Sequence, residues 1–361
     1  MTRRNLVCLM AALALCLCSL PAAAKQPRSY RLALVASLFV DLERGGQNLT
    51  IGGLNDKGEV AVYEEDFNQF RSYVWHEGEI QEVGSAILRG INDRSVVSGE
   101  FRGGPGAEGA FFWHDGDMFF LQAATGERLL FATDINNRRQ AIVSYVAGQS
   151  IGPALWRRGE ITKLDPPPGF SGSSARRLNN HGVVVGAVGS PGTNSFPAMW
   201  QDGTVMQIAL PPGAIGGAAG DINDRGTVVA NADFDGQPFG HTIAYLWKDG
   251  EITLLPPLTS EHQTSGVGSI NNHDIVVGAS TTIPGRTFLA DATIWRRGRA
   301  TNLNDLICDQ DPLKPFVHLS GAEQINNPGQ IVARGRDSRL SSAFINYYLL
   351  TPDRCGEGAP P

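Results

Sequence analysis

The stretch Leu178-Asn179-Asn180-His181-Gly182-Val183-Val184-Val185-Gly186, continued at Trp200-Gln201-Asp202-Gly203, decides the fold. Asparagine opens a turn by bonding its side chain to the backbone two residues on. Glycine then takes the left-handed position at no steric cost, and a short β-branched run reads as a strand. The opening phrase recurs seven times, with asparagines at positions 55, 92, 136, 179, 223, 271 and 326. All six tryptophans of the chain sit in Trp-x-x-Gly, each 20 to 24 residues after its asparagine. A strand precedes each tryptophan and another follows each glycine, so this second phrase is a hairpin turn. Gly58, Gly182, Gly226 and Gly329 close four of the Asn turns. Ser95, Arg139 and Asp274 close the others, where a left-handed residue costs about 1 kcal/mol, so a shifted turn geometry is expected there.

Each repeat therefore holds four antiparallel strands in about 45 residues, the size of a propeller blade. The seventh Asn phrase lacks its tryptophan; Tyr347 stands in that slot, and the chain ends before an outer strand can form. Tyr30 to Leu38 reads as a spare strand before the first repeat. The expectation is an all-β fold: a single seven-bladed β-propeller of about 28 strands, its ring closed by the N-terminal strand, which removes two exposed edges.

The rest of the composition fits. Of 361 residues, 43 are glycine, 42% are hydrophobic and 18% are charged, against roughly 25% charged in ordinary domains. Core-formers exclude a disordered chain, and the net charge of −6 leaves no basic footprint for nucleic acid. Arg3 and Arg4, the apolar run Leu6 to Leu20 and Ala22-Ala23-Ala24 read as a signal peptide, too short to span a bilayer. Residues 1–24 are thus expected to be removed, leaving 25–361 as the propeller, secreted or periplasmic and without a membrane span. Two cysteines then remain, Cys308 and Cys355, and an even count in an oxidising compartment suggests a disulfide.

The Ile-Asn-x-x-Gly and Ala-Phe-x-Trp-x-x-Gly phrases resemble the extracellular repeat proteins of the HAF type. So does the ending Leu303-Asn304-Asp305-Leu306, Gly321-Ala322-Glu323-Gln324-Ile325-Asn326-Asn327 and Ala343-Phe344. The triplet that names the family is replaced by Gly109-Ala110-Phe111 and Ser342-Ala343-Phe344. The resemblance implies an exported repeat protein and supplies no catalytic residues.

Function is less legible. The tight turns gather on one face of a propeller and the long, variable loops on the other, where binding residues usually lie. Asp233, Asp235, Glu261 and Asp309 are the ligand-binding candidates there. Asn231, Asp233 and Asp235, followed by Gly236, match the start of a calcium loop, but Thr242 stands where a glutamate would close it. The tryptophans, recurring at one strand position, read as packing between blades. The seven histidines show no zinc spacing, and no nucleophile elbow or phosphate loop is present. Two readings follow: a monomeric, non-catalytic binding or scaffolding propeller for an extracellular or periplasmic protein or glycan, with no cofactor beyond that calcium candidate; or a glycan- or polyester-active enzyme. The second needs two loop carboxylates close together at the channel mouth, drawn from Glu100, Glu108, Asp165, Asp233, Asp235, Glu261, Asp291, Asp309 and Asp311.

Overall fold

The computed structural model describes residues 29–39, 47–66, 69–103, 108–234, 241–282, 290–341 and 343–355. They form twenty-eight strands, and the helical element among them is a single 3-10 turn, Leu303–Leu306. The strands make seven four-stranded antiparallel sheets. Blades 1 to 6 each take four consecutive strands, beginning at the innermost: Gln47–Leu54, Ala86–Ile91, Arg128–Ile135, Gly172–Leu178, Ala214–Ile222 and Thr264–Ile270. The fold is an all-β seven-bladed propeller, as the repeats predict. Residues 1–28, which include the expected signal segment 1–24, lie outside the described residues.

Blade 7 is composite. Its strands Val317–Ile325, Ile331–Asp337 and Phe344–Asp353 are joined at the outer edge by Ser29–Phe39. The N-terminal strand runs antiparallel to the last one, with Leu32 opposite Leu350 and Leu38 opposite Ile345. It is held from the other side too. The Cys308 amide donates to the Tyr30 carbonyl (2.9 Å) and the Leu32 amide donates to Asp311 Oδ2 (2.7 Å). Tyr30 is buried, and its hydroxyl accepts from Arg296 at 3.1 Å. A disulfide joins Cys308, in the loop between blades 6 and 7, to Cys355 just beyond the last strand. Their Cα separation of 5.7 Å is ordinary for a disulfide.

The turns carry the expected backbone. In every Trp turn the residue before the glycine and the glycine itself have positive φ, for example Asp115 at 51° and Gly116 at 92°, the primed geometry that matches strand twist. The Asn turns correct one expectation. Ser95, Arg139 and Asp274 do not shift the turn; they adopt φ of 60°, 56° and 56° in the left-handed position that Gly182 takes at 84°. The hydrogen bonds of the turn, described below, are strong enough to hold a strained residue there.

Tryptophans pack each blade against its predecessor. Trp113 lies in a cluster with Ala61 and Leu88, and Trp200 with Ile142 and Leu164. The indoles of Trp156, Trp200 and Trp295 donate to the carbonyls of Gln122, Asp165 and Pro256, which follow the outer strand of the preceding blade. Five are buried; Trp156 is only half-buried.

Candidate functional site

The seven asparagines build the first feature of the propeller axis. In six of the turns the Asn Oδ1 accepts two backbone amides, as Asn179 does from His181 and Val183 at 3.0 Å each, while Asn326, followed two residues on by Pro328, accepts the Gln330 amide alone. The Nδ2 group reaches outward: Asn55 donates to the carbonyl of Asn92 (3.0 Å), and so on through all seven blades until Asn326 donates to Asn55 (2.9 Å). The next residue repeats the device, because its carboxyl or amide Oδ1 accepts the equivalent amide of the preceding blade, each at 2.8 Å. These are Asp56, Asp93, Asn137, Asn180, Asp224, Asn272 and Asn327. Two closed rings of seven hydrogen bonds thus circle the axis. The sequence reading found only the local turn; the invariable Asp or Asn after each asparagine was the signal for the second ring.

Behind the rings, the residue two before each asparagine lines the channel: Gly53, Gly90, Asp134, Arg177, Asp221, Ser269 and Gln324. All seven innermost strands carry a β-bulge immediately before this residue, which re-aims side chains. Asp134 and Asp221 flank Arg177. Burial pushes the Asp134 carboxyl up to about 6, although Arg177 and the Leu178 amide both favour its ionised form. Asp221 is raised for the same first reason. Both acids tie blades together: Asp134 accepts the Leu178 amide of blade 4 (3.0 Å), and Asp221 accepts the Ile270 amide of blade 6 (3.0 Å) and the Ser269 hydroxyl (2.8 Å). The void at the Asn rings measures about 160 Å³ and the one behind it about 150 Å³, both below the roughly 300–1,000 Å³ of ligand pockets.

On the long-loop face the expected candidates are scattered. Asn231 and Asp233 belong to the strand Val228–Phe234; their oxygens accept the Val267 amide (3.2 Å) and the Thr242 hydroxyl (3.0 Å). Asp235 lies outside the described residues. Glu261 is exposed, and Asp309 pairs with Lys314 at 2.8 Å. Of the other loop acids, Glu100 accepts from Arg89 and Arg102 (2.9 Å each), Glu108 pairs with Arg128, and Asp311 is buried under the N-terminal strand. Asp291 instead accepts from two histidines, His262 (3.2 Å) and His318 (2.9 Å), across blades 6 and 7. Burial disfavours its charge, but hydrogen bonds from His318, His262 and Asn302, with the charge on His318, together hold the carboxyl below its usual range. Among the described residues the group with metal-ligand spacing is Cys308, Asp353 and Cys355, two of which are the disulfide.

On the tight-turn face a cleft of about 830 Å³ opens between blades 3 and 4. Arg94, Arg138, Arg157, Arg158 and His181 line it. The sequence reading passed over it, although Arg138-Arg139 and Arg157-Arg158 occupy both turns of one blade.

No protein-family model matches the chain, and no curated protein matches its sequence. Solved structures do. The β-propeller domain of the Trilobed protease from Pyrococcus furiosus is 13% identical, with a TM-score of 0.54, over 82% of this chain and 93% of that one. That propeller is described as having an open velcro topology, whereas here Ser29–Phe39 closes blade 7. A puromycin-hydrolyzing peptidase of Mycobacterium tuberculosis is 10% identical, with a TM-score of 0.51, over 88% of this chain. The match spans 56% of the peptidase's length. At such identities the likeness carries the propeller fold and nothing of either protein's chemistry.

Proposed function

We propose that the chain is an exported binding or scaffolding propeller akin to the HAF-type repeat proteins, without a catalytic centre, whose partner is read by the long-loop face. The observation that carries this is the fate of the two buried channel acids. A glycosidase-like pair would leave carboxylates open to substrate, whereas Asp134 and Asp221 accept backbone amides of the neighbouring blades. The residues common to all blades are likewise taken up by the rings. What differs from blade to blade is the loops, and a specific partner must read differences.

The test is a screen of the purified mature chain against envelope glycans and surface-protein extracts, repeated with Asp233→Ala, Glu261→Ala and Asp309→Ala. These exposed changes are expected to alter stability by no more than about 0.5 kcal/mol while weakening capture of the partner. Hydrolysis of a glycan or polyester by the unmodified chain, lost in Asp134→Asn, would replace this reading with the enzymatic one.

A further inference from the structure

The two tight turns of blade 3 depart from those of the other blades in a way the fold does not require. Before the glycine of the Trp turn, blades 1, 2, 4 and 5 carry Glu77, Asp115, Asp202 and Asp249, while blade 3 carries Arg158. At the closing position of the Asn turn, where four blades have glycine, blade 3 carries Arg139. Both arginines are left-handed, with φ of 53° and 56°. Blade 6 has Arg297 in its Trp turn but Asp274 in its Asn turn, so blade 3 alone is basic in both. An arginine gains nothing locally from that conformation, which Gly, Asn and Asp tolerate better. Positions that break a local rule without a folding benefit are candidates for function, and of these two Arg158 lines the cleft between blades 3 and 4, with Arg138 beside Arg139.

The cleft arginines are also unpaired by any acid among the described residues. Arg94, Arg138, Arg157 and Arg158 are exposed around the 830 Å³ cleft, and among the described residues none forms an ion pair, in a protein whose net charge is −6. The cleft is large enough for a ligand, and Leu155, Thr162 and Gly182 also line it. Two carboxylates, Glu160 and Asp202, stand among the arginines. They would repel a dense polyphosphate, yet they accept hydroxyl donors. Guanidinium forks match planar carboxylates, and the mixture of both groups suits a ligand bearing anions and hydroxyls together.

We infer that the cleft between blades 3 and 4 binds an acidic glycan, a chain of uronate-type sugars, on the face opposite the long loops. The test is calorimetric titration of the whole mature chain with a short polyuronate oligosaccharide at low and raised salt. Binding is expected, weakening with salt, and weakened about tenfold or more in Arg138→Glu/Arg157→Glu. Arg225→Glu, on the same face in blade 5, is expected to bind as the parent does. Melting temperatures of both variants should stay close to the parent, because all three side chains are exposed and Arg225 gives up only an exposed pair with Asp274 at 3.9 Å. Absence of binding, an equal loss in Arg225→Glu, or equal binding of neutral glucan, polyphosphate or single-stranded DNA would overturn the inference. The Asp233, Glu261 and Asp309 variants leave this cleft untouched, so the two sites fail or stand separately.

Discussion

One asparagine shows how much a single residue does here. Asn179 is 5% exposed and satisfies three backbone groups, two amides of its own turn and the carbonyl of Asn223. Unpaired buried polar groups each cost about 1–3 kcal/mol. Asn179→Ala is therefore expected to lower stability by about 3–5 kcal/mol, after allowance for water entering the gap. His181→Ala, at an exposed position of the same turn, should stay within about 0.5 kcal/mol. Denaturant unfolding of the two variants checks this, and similar midpoints would mean the ring bonds contribute little. The three non-glycine turns fit the same account, since the asparagine's bonds keep Ser95, Arg139 and Asp274 left-handed.

At the scale of the element, the N-terminal strand is the only one of the twenty-eight whose blade partners come from the other end of the chain. It covers an edge that would otherwise present unpaired amides and carbonyls, and it buries Tyr30, Val35 and Ala36. Removing residues 29–39 is expected to lower the melting temperature markedly and to promote aggregation, even with the Cys308–Cys355 bridge intact. A deleted form that melts with the parent would refute closure through this strand. Its recognition as a spare strand rested on counting: seven Asn phrases, six Trp phrases and one strand left over. Tryptophan spacing gave the blade interfaces in the same way, but Trp156 shows the limit. Its sequence context matches the other five, while its exposure depends on neighbours that no local pattern records.

For the whole molecule, the channel predicts a pH response. Asp134 and Asp221 have carboxyls raised above their unfolded values. Between about pH 4 and 6 the folded state then holds more protons on Asp134 than the unfolded one does, so this group makes stability fall as pH rises through that window, and Asp221 acts in the same direction. Asp134→Asn keeps an acceptor for the Leu178 amide and removes the charge. It is expected to be more stable than the parent at pH 8, by about 1–2 kcal/mol, with the advantage vanishing near pH 4. A variant that is instead weakest at pH 8 would show that ionised Asp134 is needed beside Arg177. The sequence by itself determined the number of blades, the turns and the strand that closes the ring, because turn chemistry and strand alternation are local and recur with a fixed period. Tertiary structure alone decided which side of each asparagine reaches the next blade, because that bond joins residues 37 to 55 apart, and 271 apart at the closure. The same holds for the bulges that aim Asp134, Arg177 and Asp221 at one another, and for the cleft that gathers arginines from two blades and a histidine from a third. Charge convergence of that kind depends on how blades are spaced around an axis, and a linear chain carries no record of that spacing.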